Sequence, residues 1–104
     1  MKLLFAIVCN EDARRTICEL LEHDLSVTQI ASSGGFLRGG NKTLMLGVED
    51  DRVEETLAVI RRCTREHKVK TAGSIGAEAL AHPLEITVGG ATVFITDVER
   101  FERI

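Results

Sequence analysis

The chain has 104 residues, 44% of them hydrophobic, which suits one domain with its own core. Its formal net charge is −3, with 13 basic and 16 acidic residues spread along the chain. That balance provides no broad basic surface for a nucleic-acid polymer. The scattered histidines and cysteines do not have metal-ligand spacing, so we expect no metal site and free, buried thiols at Cys9, Cys18 and Cys63.

Residues 1–9 are almost entirely apolar. The run is too short to span a membrane and lacks a small-residue cleavage site, so it predicts a central strand in a cytoplasmic protein without membrane insertion. Asn10 follows as the expected N-cap of an amphipathic helix, with Glu11 and Asp12 near its positive end. The inward stripe expected for this helix is Ala13, Ile17, Leu20, Leu21 and Leu25.

Two β-rich segments, residues 27–31 and 42–48, flank a glycine-rich loop and predict a hairpin with a long tip. Asp51 and Glu54 then form a D-x-x-E capping pattern that opens a second helix. Its expected inward stripe is Val53, Leu57, Ile60 and Thr64. We expect the remaining charged residues, Arg61, Arg62, Arg65 and Glu66, to stay in water, and the basic cluster to be a solvated face rather than a binding patch.

The last third of the chain predicts a long loop over residues 67–83, with at most one short strand or turn. Residues 84–88 and 91–96 flank Gly89-Gly90 and predict a tight hairpin. A short turn or helix is expected over residues 98–104.

This order of elements predicts an α+β protein, a ferredoxin-like βαββαβ fold with an antiparallel sheet and two helices on one face. Leu3, Phe5 and Ile7 make the second face of the first strand apolar as well. Because no predicted element covers that face, we expect self-association through it.

The glycine-rich loop, residues 31–41, carries the most information about function. Two glycine pairs bracket Phe36, Leu37 and Arg38. Glycines let main-chain N–H groups approach an anion, and the two apolar side chains offer surfaces for a flat ring. A plain hairpin tip is the alternative, since paired glycines are common in turns.

Four segments together resemble the PII-like cyclic di-AMP receptor family: residues 1–8, 33–43, 47–53 and 88–94. The runs S-G-G-F-L-R-G-G-N and V-G-G-A-T-V-F are the most specific parts. The resemblance covers nearly the whole chain and implies one PII-like nucleotide-binding domain over residues 1–104. It also implies a homotrimeric signalling protein that binds cyclic di-AMP in clefts between subunits. Such a protein performs no chemistry on the ligand, needs no cofactor and regulates a downstream protein that the sequence does not identify.

The resemblance further implies a set of ligand-binding residues, which are Thr28, Gly35, Phe36, Leu37, Arg38, Asn41, Gly47 and Phe94. In these implied roles Thr28 hydrogen-bonds an adenine, the Asn41 amide reads an adenine edge, and the Gly47 backbone completes that pocket. The 35–37 segment lines and stacks on the nucleotide, and Phe94 packs near the second base. Arg38 has two open readings, a phosphate contact or an exposed or subunit-bridging arginine.

Two positions depart from the family pattern. Ser26 stands where an arginine is often found, and Arg103 where a glutamine is expected. The departures keep a PII-type sensor of ATP, ADP or another adenine nucleotide open as an alternative. Two further alternatives are an acylphosphatase-like hydrolase that uses Arg38 and Asn41, and a structural trimer that binds a protein through residues 68–83.

Overall fold

The computed structural model describes residues 1–30, 40–65, 67–71 and 84–104. Within these residues, six strands, two α-helices and one 3-10 turn form in chain order. They are β1 (Lys2–Cys9), α1 (Asn10–Glu22), β2 (Thr28–Ile30), β3 (Asn41–Val48), the 3-10 turn (Asp50–Arg52), α2 (Val53–Cys63), β4 (His67–Thr71), β5 (Leu84–Val88) and β6 (Ala91–Asp97).

The main sheet has four antiparallel strands in the order β2-β3-β1-β6, so β1 is bonded on both sides. Alternate residues of β1, Leu4, Ala6 and Val8, are fully buried beneath the helices. Both helices therefore lie on one face, which confirms the predicted α+β architecture and is compatible with a ferredoxin-like fold. A second sheet contains only β4 and β5.

The core between helices and sheet is aliphatic, as the composition predicts. Leu20 of α1 and Ile60 of α2 pack against Leu4, Leu44 and Leu46 of the sheet. Thr16, Thr56 and Thr64 are also buried in or next to the helices. Each hydroxyl donates a hydrogen bond to the backbone carbonyl four residues earlier in the chain. Their polar groups are thus satisfied within the core.

Both predicted helix caps are wrong. Asn10 is the first residue of α1 rather than its cap, which is Cys9. Asp51 lies in the 3-10 turn, and the cap of α2 is Arg52, whose backbone N–H donates to Glu49 O at 2.9 Å. At the start of both helices no side chain makes a capping hydrogen bond, and the hydrogen bonds there are made by backbone groups. The predicted inward position of Leu21 is also wrong, because its side chain is 54% exposed.

The predicted β5–β6 hairpin is wrong in its pairing, although both strands form. β5 pairs with β4, whereas β6 pairs with β1, so Gly89 and Gly90 carry the chain between two sheets. Both glycines have positive φ, 85° and 78°, which permits the change of direction. The predicted loop over residues 67–83 begins with a strand, and its residues 72–83 lie outside the described residues.

The prediction of a short turn or helix over residues 98–104 is wrong, since the segment forms neither and only bends at Glu99. The Val98 backbone instead donates to Met1 O at 3.2 Å, beyond the last β1–β6 pair. The cysteines are free, but only Cys63 is buried, whereas Cys18 is exposed and Cys9 is half-buried. Within the described ranges no helix is long and apolar enough to cross a membrane, and no cluster of candidate metal ligands forms.

Candidate functional site

The face of the main sheet opposite the helices, which we call the open face, has no covering element in the described structure. Leu3, Phe5 and Ile7 point to it and are only partly buried. Directly paired residues of antiparallel strands share a face, so the register fixes the neighbours of Phe5. Met45 of β3 and Phe94 of β6 lie on either side of it.

One cross-strand row brings two predicted ligand residues onto the open face. Thr28 pairs with Met45, Met45 with Phe5, and Phe5 with Phe94. The row therefore spans all four strands, about 14 Å at the usual spacing of neighbouring strands. Phe94 is 50% exposed, so half of a large apolar side chain is available to a ligand or a second chain.

Asn41 and Gly47 lie on the same face, at the two ends of β3. Asn41 pairs with Cys9 at the first position of the strand and is partly buried. Gly47 pairs with Leu3, and among the described residues a Cβ placed on it would meet only Met1 Sδ, at 4.0 Å. The described part of the chain therefore leaves room for a ligand beside the Gly47 backbone.

The remaining predicted site residues, Gly35, Phe36, Leu37 and Arg38, lie outside the described residues. The described residues on either side of them, Ile30 and Gly40, are both at the Asn41 end of the sheet, because Ile30 pairs with Thr43. The loop is thus attached at that end of the open face.

The described part of the open face is uncharged. The register places apolar, threonine, cysteine, asparagine and glycine residues there and no acidic, basic or histidine side chain. Among the described residues, the groups with shifted pKa values lie elsewhere. Ion pairs at the sheet margin raise the pKa of Lys2 and lower that of Asp50, and the Arg52–Glu55 pair raises the pKa of Arg52 and lowers that of Glu55. Burial raises the pKa of Cys63 in the core. The chemistry available on this face is apolar contact and neutral hydrogen bonding.

Met45 is a functional candidate that the sequence interpretation missed, and Phe5 was assigned to the self-association face but not to the ligand site. The two residues lie between Thr28 and Phe94 in the cross-strand row. The period-2 pattern of β3 could have assigned Met45 to the open face, but only the register makes it a neighbour of Phe5. Ser26 and Arg103, the two departures from the family pattern, are both exposed.

A cavity of about 300 Å³ lies on the helix side of the sheet, between α2 and the beginning of β6. Leu57, Ile60 and Val93 form its apolar lining, with Arg61 and Arg65 beside them. Thr28, Asn41, Gly47 and Phe94, the predicted site residues that the structure describes, do not line it. We assign the candidate site to the open face, because these four members of the predicted set lie on it.

The fold and this face define a ferredoxin-like α+β protein with an open, uncharged sheet face. The family model of the cyclic di-AMP receptor matches residues 1–104, and the chain belongs to that family. It is thereby a PII-like signalling protein that binds cyclic di-AMP, in a family of receptors rather than of enzymes.

One solved structure supports the fold independently. It is the crystal structure of a functionally unknown protein from Pediococcus pentosaceus ATCC 25745, which is 33% identical to this chain. The similarity covers 99% of this chain and 96% of that chain, with a TM-score of 0.77.

Proposed function

We propose that the protein is a homotrimer that binds cyclic di-AMP in the clefts between subunits and performs no reaction on it. The observation that carries the proposal is the placement of Thr28, Asn41, Gly47 and Phe94, from three different strands, on one sheet face. In this proposal Gly35, Phe36, Leu37 and Arg38 complete the site from the loop attached at the Asn41 end.

The chemistry of these residues suits an adenine nucleotide. A side-chain amide such as that of Asn41 presents a donor and an acceptor, matching the donor and acceptor of an adenine edge. Stacking of a base on an aromatic ring such as that of Phe94 contributes about 1 to 3 kcal/mol. Because Gly47 has no side chain, a base can lie close to the strand at this position.

The uncharged open face supports the proposed trimer. Leu3, Phe5, Ile7 and Met45 give it an apolar centre, and neither helix can cover it because both pack on the opposite side. Further copies of the chain bury such a face without enclosing unpaired charge. A cleft between copies would then have the Thr28–Phe94 row as one wall.

The proposed signalling step is a ligand-dependent change at the glycine-rich loop and at residues 68–83, which alters the surface offered to a downstream protein. Ordering of a segment by ligand contacts is a common switching mode. Hydrogen exchange of residues 34–41 should slow when cyclic di-AMP is added. Identical exchange with and without ligand would contradict the switching step while leaving binding intact.

Calorimetric titration of cyclic di-AMP into the purified protein tests the binding proposal. We expect saturable binding near one ligand per subunit and weaker binding by Asn41→Ala. Gln29→Ala is the matched control, because it removes a carboxamide from the opposite face of β2 beside Thr28. Equal loss of affinity in the two variants would reject the assignment of Asn41 to the site.

A second candidate ligand is ATP, ADP or another adenine nucleotide, which the exposed, uncharged Ser26 beside β2 favours. The same titration with ATP, cyclic AMP and cyclic di-GMP separates the two candidates. The acylphosphatase-like alternative is less well supported, because the described open face offers no carboxylate or imidazole as a general base.

A further inference from the structure

The β1–β3 register continues by one contact beyond the end of the strands. Cys9 and Asn41 are the last paired residues, and the next residue, Asn10, donates its backbone N–H to Gly40 O at 3.4 Å. Asn10 is also the first residue of α1, where an N–H group has no partner within the helix. The N-terminus of α1 therefore contacts the residue immediately before Asn41.

The backbone conformation of Gly40 and its lack of a side chain permit this contact. Its φ is +92°, a conformation that residues with side chains rarely adopt. A Cβ at this position would lie 2.6 Å from Asn10 Nδ2 and 3.5 Å from Asn10 Cγ. The absence of a side chain at Gly40 thus allows both the backbone turn and the close approach of the Asn10 amide.

We propose that Asn10 is a positioning residue of the nucleotide site: it holds Gly40 and thereby sets the direction in which Asn41 enters β3. This inference rests on the proposed function, which assigns Asn41 to an adenine edge. An amide that reads a base through two hydrogen bonds depends on its orientation, so loosening the backbone before it weakens binding. Asn10 itself contacts no nucleotide in this arrangement.

The helix does not require an asparagine at this position. The first helical position commonly accepts proline, whose missing N–H has no intrahelical use there. Glu11 and Asp12 already place negative charge in the first turn of α1. The contact with Gly40 therefore gives Asn10 a role that helix formation does not explain.

The variant Asn10→Pro separates the two roles. Cys9 has φ −63° and ψ 147°, an extended conformation that the residue before a proline favours. The substitution removes the N–H that reaches Gly40 O and leaves the start of α1 intact. Asn10→Ala is the companion variant, because it keeps the N–H and removes only the side-chain amide.

Calorimetry and thermal unfolding at one protein concentration give the first test. We expect Asn10→Pro to bind cyclic di-AMP about fivefold more weakly, the equivalent of one net hydrogen bond, with an unchanged or raised Tm. Asn10→Ala should lose less affinity for cyclic di-AMP than Asn10→Pro. Weaker binding together with a lowered Tm would assign Asn10 to folding and overturn the proposal, as would unchanged affinity.

Hydrogen exchange of the ligand-free protein gives a second test that needs no nucleotide. Peptides covering residues 40–46 should exchange faster in Asn10→Pro, whereas peptides within residues 2–6 should not change. If the unaltered protein bound no cyclic di-AMP, the proposed function would fail, and this exchange result alone would decide whether Asn10 holds Gly40. Unchanged exchange over residues 40–46 would then also overturn the proposal that Asn10 holds Gly40.

Discussion

Arg15 joins the two helices through a single side chain. Its Nη2 and Nε donate to Cys63 O, at 2.8 Å and 3.3 Å, at the end of α2. The same Nη2 also donates to Asp12 at 2.8 Å. The last carbonyls of a helix have no partner within it, so Arg15 satisfies one of them from the neighbouring helix.

Replacing Arg15 with alanine should lower the free energy of unfolding by about 1 to 2 kcal/mol, because Cys63 O loses its partners next to the core. The control is Arg14→Ala, because Arg14 is an exposed arginine one residue earlier on the same helix. This substitution should change the free energy of unfolding by about 0.5 kcal/mol or less. Urea unfolding at one protein concentration measures both. Equal effects would mean that the contact with Cys63 O contributes nothing.

Glu55 connects the end of α1 to the start of α2. Arg52 donates to both of its carboxylate oxygens, at 3.0 Å and 3.1 Å, and His23 Nδ1 lies 3.0 Å from Oε2. The Arg52 hydrogen bonds, and then the His23 hydrogen bond, hold the pKa of this carboxyl below its usual value of 4.5. Because the folded pKa is lowered, the stabilisation is complete above pH 4.5 and is lost as the pH falls through the folded pKa.

Glu55→Gln should therefore lower Tm near neutral pH, and its difference from the unaltered protein should shrink as the pH falls below 4.5. Thermal unfolding between about pH 7 and pH 3 measures this difference. Glu99→Gln, at an exposed carboxylate outside the helices, is the control and should shift Tm little at any pH. A Glu55→Gln difference that did not depend on pH would contradict the ion-pair account.

At the scale of elements, adjacent leucines of α1 show how the helix meets the sheet. Leu20 is fully buried in the core, whereas Leu21 is 54% exposed. Successive residues of a helix are about 100° apart, so an inward stripe cannot include both fully. The two positions form a matched pair with the same side chain and opposite burial.

Leu20→Ala should destabilise the protein by about 2 to 5 kcal/mol, because it leaves a cavity between α1 and the sheet. Leu21→Ala should cost about 0.5 kcal/mol, since most of its surface is already in water. Chemical unfolding of the two variants side by side gives the comparison. Similar losses would mean that α1 packs through a different face.

The elements differ in how far their sequence could predict them. The apolar run of β1 and the stripes of both helices predicted the layers, because burial imposes a period on each. The caps, Cys9 and Arg52, were missed, since neither makes the side-chain hydrogen bond on which a sequence pattern for helix caps depends. The β5–β6 pairing was wrong because a period-2 pattern identifies a strand but not its neighbour.

The residues of the candidate site likewise differ in how far the sequence could predict them. Asn41 was singled out from the sequence through its motif, and the structure places it on the open face. Phe5 and Met45 were not assigned to the ligand site, because their position between Thr28 and Phe94 is evident only once three strand registers are known. The contact of Asn10 with Gly40 likewise needs a fold that brings two distant segments together.

At the scale of the whole molecule, the proposed trimer depends on the open face. Phe5→Asp places a charge at the centre of that face, where burial against another copy would be costly. We expect this variant to sediment as a monomer and to lose most of its affinity for cyclic di-AMP. Analytical ultracentrifugation and calorimetry measure the two effects.

The matched control is Leu21→Asp, which adds the same charge at an exposed leucine on the helix side of the molecule. This variant should sediment with the same oligomeric mass as the unaltered protein and bind cyclic di-AMP with the same affinity. A trimeric Phe5→Asp, or a monomeric Leu21→Asp, would place the subunit interface elsewhere than on the open face.

The central position of β1 also governs when the chain can fold. This strand is made before the rest of its sheet, yet one of its two neighbours, β6, is made after all the other strands that the structure describes. Pairings between segments so distant in sequence form slowly, because a long loop must close before they stabilise anything. Until Ala91–Asp97 has left the ribosome, one edge of an apolar strand stays unpaired, and chains interrupted before that point carry an edge prone to aggregation.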